Sequence, residues 1–165
     1  MKPMTLLLFG MVLALATLLN PRPANAVCNP LSLCSCTASA TGVSFGAYNP
    51  LSTTPNDATG TVTVSCILTV SLTGSYTIAL STGASNSFTA RSLQGGGSTL
   101  AYNLYVATAR TQVWGDGTGG TQTVTGSFPA ILTNTQSFNV FGRIPAGQNV
   151  PVGAYTDTII VTVTY

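Results

Sequence analysis

The strongest constraint on the fold is an alternation of apolar and hydroxyl-bearing residues between Thr61 and Leu72. In the sequence TVTVSCILTVSL every second residue from Val62 onward is apolar, and only Ile67 departs from the pattern. Because side chains alternate between the two faces of a strand, this period predicts a β-strand with one buried and one solvated face. The alternation also places Cys66 on the buried face.

The same period of two recurs along the rest of the chain. It is found over residues 76–80, 100–106, 138–144 and 159–165, and Gly-, Pro- and Asn-containing turn sequences separate these segments. Many short strands divided by turns are typical of an all-β sandwich or barrel. No segment after residue 26 has the 3.6-residue spacing of an amphipathic helix.

The N-terminus has the parts of a secretory signal peptide. A short basic start is followed by an apolar run over residues 4–19, a proline-containing break and the small-residue sequence ANA at 24–26. This order predicts cleavage after Ala26, with residues 1–26 as the signal peptide and 27–165 as the mature domain. The apolar run is short for a full bilayer span and no later run is longer, so no membrane span is expected after cleavage.

Cleavage would change the charge and the chemistry that the chain can offer. Removing the first 26 of 165 residues leaves 139, with three arginines, three aspartates and a formal net charge of zero. No basic patch survives, so nucleic acid is not an expected partner. The mature chain has no His, Glu or Lys, which removes the usual general bases and amine nucleophiles. The sequence therefore predicts a protein that is not an enzyme and has no cofactor.

Four cysteines lie in the predicted mature chain, and an even number in an exported protein predicts disulfides. The favoured pairing is Cys36 with Cys66, joining the first strand to the second, and Cys28 with Cys34, closing a small loop. The alternative is Cys34 with Cys66 and Cys28 with Cys36. No metal site is expected, because the chain has no His and Cys66 stands apart from the other cysteines.

A glycine-rich stretch, WGDGTGGT, begins at Trp114. A phosphate-binding loop is not expected there, because no strand-then-helix pattern surrounds it and no lysine follows. A calcium loop would need several acids, and Asp116 is alone. The favoured interpretation is a hairpin loop with Trp114 packed at its base. The alternative is an exposed aromatic side chain at a binding tip.

Three stretches, at residues 36–66, 100–121 and 141–165, resemble the spore coat protein U domain family, which includes subunits of archaic, Csu-type chaperone–usher pili. The most specific is FGRIPAGQNVPVGAYTDTIIVTVTY at the C-terminus. The resemblance implies an immunoglobulin-like β-sandwich that is incomplete, because its seventh strand is supplied in trans. A periplasmic chaperone supplies that strand first, and the N-terminal extension of another subunit then replaces it.

The resemblance also implies a function, partners and a site. The final strand, residues 156–165, would border the assembly groove, with Ile159, Val161, Val163 and Tyr165 facing it; ordinary core is the other interpretation of these four. The expected partners are the periplasmic chaperone, an outer-membrane usher and other pilus subunits. The chain would pass through the periplasm to a surface pilus, or be secreted, and act in adhesion or biofilm formation.

The predicted mature N-terminus departs from the pattern of the family's shaft subunits. Only residues 27–35 precede Cys36, and this stretch contains Pro30, so it is a poor donor strand. A subunit that accepts a strand without donating one would lie at the tip of the fibre. Two other functions are compatible with the sequence: a self-contained secreted ligand-binding domain, and a structural protein of a coat or envelope.

Overall fold

The computed structural model describes residues 24–28, 34–69, 73–129 and 132–165. Over these residues the chain forms strands and one short 3-10 turn, without an α-helix, which confirms the predicted all-β class. The elements are β1 (Ala24–Cys28), β2 (Cys34–Thr41), β3 (Asn56–Leu68), β4 (Gly74–Leu80), the 3-10 turn η1 (Gly83–Ser85), β5 (Ser92–Gly95), β6 (Ser98–Ala101), β7 (Asn103–Tyr105), β8 (Val124–Phe128), β9 (Thr133–Ile144) and β10 (Val161–Thr164).

Among the described residues, the strand pairs are all antiparallel and form three sheets. A five-stranded sheet has the order β1-β2-β3-β9-β7, a three-stranded sheet has the order β10-β4-β8, and β5 and β6 form a separate ribbon. The inward faces of the two larger sheets share one apolar core. Tyr76 of β4 packs edge-to-face against Phe138 of β9 across that core, with ring centroids 6.2 Å apart. The arrangement is a β-sandwich, in which one face of each sheet is buried.

The alternation of apolar and hydroxyl-bearing residues from Thr61 onward corresponds to the central strand, β3. Val62, Val64, Cys66 and Leu68 are buried, whereas the neighbouring Thr and Ser residues lie on the outer face. There the hydroxyls of Thr63 and Ser137 are hydrogen-bonded across β3 and β9 at 2.9 Å. Ile67, the one departure from the pattern, is 62% exposed. The pattern therefore predicted which face of β3 is buried.

The alternating segment at residues 100–106 is divided between two sheets. Leu100 belongs to β6, which pairs with β5, whereas Leu104 belongs to β7, which pairs with β9. At the break between them, the Tyr102 amide donates to the carbonyl of Arg91 at 3.0 Å. Leu100, Tyr102 and Leu104 remain buried. A strand that changes sheets at one residue keeps its period of two, so the sequence does not reveal the break.

The last strand is shorter than the predicted 156–165, since β10 comprises only Val161–Thr164. Before it, Thr156 exchanges two backbone hydrogen bonds with Gln94 of β5, and the Ile160 carbonyl accepts from the amide of Ser81. The residues that precede β10 are thus held first by the β5–β6 ribbon and then by the end of β4. The regular ladder with β4 begins only at Val161, which is opposite Leu80.

The predicted cleavage site lies inside β1, which pairs with β2 so that Ala26 is opposite Cys36. Cleavage after Ala26 would leave only Val27 and Cys28 of this strand. Residues 1–23, which include the apolar run of the predicted signal peptide, lie outside the described part of the chain, so the signal peptide and its cleavage remain predictions. In the part that is described, no helix is long and apolar enough to cross a bilayer.

Candidate functional site

A groove runs beside the residues that lead into the last strand. One wall consists of the end of β2 and the segment after it, residues 40–48. The other wall is the segment that leads into β10, residues 150–161. We call this feature the β10 groove. At its narrow end a cavity of about 200 Å³ reaches the apolar core. The core residues that line it are Val62, Leu80, Tyr102, Leu104 and Val140.

The groove widens away from β10 into a second cavity of about 680 Å³. Aromatic and aliphatic side chains line this wide end, among them Tyr48, Leu100, Ile144 and Tyr155. Tyr48 is hydrogen-bonded to the segment at residues 145–148: its hydroxyl donates to the Pro145 carbonyl at 3.0 Å and accepts from the Gln148 amide at 2.8 Å. Five residues line both cavities and mark the junction between them: Gly42, Val43, Phe45, Leu93 and Asp157.

Both walls of the β10 groove offer backbone edges. β10 pairs with β4 on one side and is the edge strand of its sheet, as far as the described residues show. Across the groove, residues 42–47 follow β2 without belonging to a strand. An edge strand above an apolar floor is the arrangement that a further β-strand can complete by main-chain hydrogen bonding and side-chain burial.

The four residues predicted to face the assembly groove are not equivalent. Ile159 and Val161 are half-buried and line the narrow cavity. Val163 is 8% exposed and is opposite Ile78 of β4; it does not line either cavity. Tyr165 is half-buried, and burial raises the pKa of its phenol. β10 also contacts β1 and β2. Their role in assembly remains a proposal, and Ile159 and Val161 are the two that the open space reaches.

A carboxylate lies at the junction of the two cavities, and the sequence did not single it out. Asp157 Oδ2 accepts from the Tyr102 hydroxyl at 2.7 Å, while Oδ1 accepts from the amides of Ala84 at 2.9 Å and Thr158 at 2.8 Å. Burial raises the pKa of the Tyr102 phenol, and the bond to Asp157 raises it further. Gly83, with φ of +68°, leaves room for this carboxylate, because a side chain there would collide with it.

A fully buried arginine supports the same region from within. Arg91 donates to the carbonyls of Ser81 and Trp114 at 2.7 and 2.8 Å and to Asn103 Oδ1 at 2.9 Å. Its guanidinium also lies over the Phe88 ring, 5.4 Å from the centroid. Burial lowers the pKa of Arg91. Nothing in the sequence marked it, because its acceptors are carbonyls and an amide distant along the chain rather than an acidic neighbour.

Trp114 packs at the base of its glycine-rich loop, as predicted. Its side chain is fully buried, and Nε1 donates to the Ile78 carbonyl at 3.0 Å, so the alternative of an exposed aromatic tip is wrong. In the loop itself, Asp116 Oδ1 accepts from the hydroxyl of Thr118 at 2.6 Å and from its amide at 2.9 Å. These bonds lower the pKa of Asp116. They also stabilise the turn, since the carboxylate accepts from a residue two positions further on.

The cysteines follow the favoured pairing where the structure describes them. Cys36 and Cys66 form a disulfide with an S–S distance of 2.05 Å, which excludes the alternative that pairs Cys34 with Cys66. Cys34 is also disulfide-bonded. The backbone register places Cys28 opposite Cys34, but the Cys28 side chain lies outside what is described, so that pairing stays a prediction. Among the described residues, no group of three or more His, Cys, Asp or Glu could hold a metal ion.

Comparison with known proteins identifies the family. The profile of the Spore Coat Protein U domain matches residues 24–162. The chain belongs to this family. The Spore Coat Protein U domain described above is also 32% identical over 155 residues to Protein U of Myxococcus xanthus, a match that covers 86% of this chain and 82% of that protein.

A solved structure shares the fold of this Spore Coat Protein U domain. It is a chain of the CsuC–CsuE chaperone–tip adhesion subunit pre-assembly complex from the archaic chaperone-usher Csu pili of Acinetobacter baumannii. The TM-score is 0.55 at 22% sequence identity, and the match covers 81% of this chain and 40% of the other. Our domain therefore corresponds to about two fifths of that chain. The likeness confirms the β-sandwich fold.

Proposed function

We propose that this chain is a non-enzymatic structural subunit of a bacterial surface pilus, assembled by a chaperone–usher pathway through donor-strand complementation. The observation that carries the proposal is the β10 groove, in which an edge strand and an open space above the core lie together. A strand from another chain can pair with the edge of β10 while its inward side chains fill the narrow cavity and cover the half-buried Ile159 and Val161. Each apolar side chain buried in this way contributes about 1.5–3 kcal/mol before the cost of ordering the strand.

Family membership supports this proposal, and so does the fold. The relative of known structure is described as part of a chaperone–tip adhesion subunit complex, and its fold is that of this chain. By analogy, a periplasmic chaperone would occupy the groove first, and a subunit delivered at an outer-membrane usher would replace it. The route requires export, which agrees with the predicted signal peptide over residues 1–26. The absence of His, Glu and Lys after residue 26 supports a structural rather than a catalytic role.

We further propose a place at the tip of the fibre, with a role in adhesion or biofilm formation. A donor strand needs an alternating segment that is free of prolines and of local cross-links. Residues 27–35 contain Pro30 and the disulfide-bonded Cys34. Such a segment suits a subunit that accepts a strand but has none to donate.

The test is to express the full chain with and without the chaperone and usher encoded by its own organism, and to measure folded subunit in periplasmic extract. The proposal predicts a stable one-to-one complex with the chaperone and degradation or aggregation of the subunit without it. Recovery of a stable monomer in the absence of any chaperone would refute the incomplete sandwich. It would favour a self-contained ligand-binding or coat domain instead.

A further inference from the structure

The β10 groove contains a charge at one position only. Asp157 is the only charged side chain among the described residues that line either cavity. It lies between the narrow end, near Ile159 and Val161, and the wide end, near Tyr48 and Tyr155. A strand that fills the groove must therefore pass over a carboxylate part-way along a path whose other described lining residues are uncharged.

The hydrogen bonds of Asp157 leave part of that carboxylate unused. An ionised carboxylate offers about four acceptor positions, and the described donors occupy three of them, through Tyr102, Ala84 and Thr158. Oδ2 accepts only the Tyr102 hydroxyl among these donors. Asp157 is only half-buried, so we expect water at the remaining position while the groove is open. A strand that covers the groove removes that water, and an aliphatic side chain offers nothing in its place.

The carboxylate is also fixed in position. Its bonds to the η1 turn and to Tyr102 hold it to two separate segments, and Gly83 provides the space it needs. Below it, the side chain of Arg91 joins the ends of β4 and β7 to the carbonyl of Trp114. A polar group that cannot move aside selects what lies opposite it, as buried polar groups select partners in other interfaces.

We propose that Asp157 sets the register of the strand that completes this subunit, by requiring a side chain with a hydrogen-bond donor, such as Ser or Thr, at the position that crosses the carboxylate. The inferred partner is therefore a strand with aliphatic inward residues on the Ile159–Val161 side, a hydroxyl-bearing residue over Asp157 and a bulky apolar residue toward Tyr48 and Tyr155. The inference rests on the proposed function, and it adds which strand sequences the groove accepts.

The test uses synthetic peptides with the pattern Thr-Val-Thr-Val-Thr-X-Thr-Val-Thr-Val-Thr, carrying two lysines at each end for solubility. The pattern reads the same in both directions, so the strand orientation need not be assumed. Position X is Ser, Val or Asp. Fluorescein-labelled peptides are incubated with the complex of the exported full chain and its chaperone, purified from the periplasm, so that a peptide which binds replaces the chaperone in the groove. Bound peptide is measured by polarisation and by co-elution in gel filtration.

We expect the Ser peptide to bind about 10-fold more tightly than the Val peptide, a difference typical of one buried hydrogen bond to a charged group. The Asp peptide should bind most weakly, because two carboxylates would face each other. Asp157→Leu should abolish or reverse the preference for Ser. Asp116→Leu, which removes a carboxylate from an exposed loop, should leave the preference intact.

Two further variants keep the test decisive if Asp157→Leu fails to fold. Asp157→Asn preserves the shape and should reduce the preference for Ser, while Tyr102→Phe frees a second position on Oδ2 and should preserve or increase it. If the ratio of the affinities for the Ser and Val peptides is the same in the wild type and in the Asp157 variants, Asp157 does not set the register. Strand binding itself would still be supported. If no peptide binds to any of these proteins, the proposed strand-accepting function fails, and the register inference fails with it.

Discussion

Replacing Val161 with Asp should separate strand binding from folding. Val161 is half-buried and lines the narrow cavity of the β10 groove, so a carboxylate there can remain hydrated while the groove is open. The cost to the fold itself is then the lost packing of one partly buried valine, about 1 kcal/mol. Once a strand covers the groove, the same carboxylate loses its water among Leu80, Leu104 and Val140, and no donor replaces it.

Two effects reduce the affinity of the Val161→Asp variant for the strand. Lost valine packing against the incoming strand and desolvation of an unpaired carboxylate together cost about 3–4 kcal/mol, or roughly 10²–10³-fold in affinity. Val163→Asp should act differently, because Val163 is 8% exposed and faces the core beside Ile78. That variant should destabilise the subunit before any strand binds.

Thr162→Asp is the matched control. Thr162 lies between these two residues, is exposed and is opposite Ala79 on the outer face, so the same added charge should change stability by less than about 0.5 kcal/mol. The assay is the amount of each variant that co-purifies with the chaperone from periplasmic extract. Thermal unfolding of the recovered protein is measured in parallel. If Val161→Asp and Thr162→Asp co-purify equally well with the chaperone, β10 does not border an assembly groove.

Three further predictions concern the fold. Both cysteine pairs should be oxidised, so the unreduced mature protein should weigh about four hydrogens less than the reduced form, and peptide mapping should find Cys36 linked to Cys66. These two residues are 30 residues apart, and closing this loop contributes about 3–4 kcal/mol of stability in the chain-entropy account. Free thiols at these positions in periplasmic material would contradict the predicted disulfides. Asp57 binds Arg143 at 2.7 Å, and this hydrogen bond lowers the pKa of Asp57. Because the folded-state pKa is lowered, the stabilisation by this pair is fully present above the usual carboxyl range and is lost as pH falls through the folded-state value. Arg143→Gln should therefore reduce the loss of stability on acidification, measured by urea unfolding from pH 6 to pH 3. An unchanged dependence of the unfolding free energy on pH would show that the pair does not contribute. Trp114, the single tryptophan of the chain, should emit at short wavelength and resist acrylamide quenching, and Trp114→Phe should lose about 1 kcal/mol with its bond to the Ile78 carbonyl; a red-shifted, readily quenched emission would contradict its burial.

The sequence by itself determined the strand class and the buried faces of the main strands. β3 shows why: its period of two allows only one face to be apolar, so Val62, Val64 and Cys66 had to point to the same side. The same argument placed Tyr76, Ile78 and Leu80 in the core, where they lie. Local chemistry also favoured the packing of Trp114 beneath a turn, and the resemblance to the family rested on residues that the profile match later covered.

The tertiary structure decided which of these faces are covered and by what. Ile159, Val161 and Val163 follow one alternation, yet the first two reach open space whereas Val163 is buried, because that difference depends on neighbours distant along the chain. The surroundings of the polar residues Arg91 and Asp157 also depend on residues distant along the chain. The acceptors of Arg91 are 10 to 23 residues away, and two of the three donors to Asp157 are 55 and 73 residues away. No local pattern therefore predicts a buried guanidinium or a carboxylate inside this groove. Period and composition set the face of each strand, whereas long-range contacts set the exposure and the polar partners of its residues.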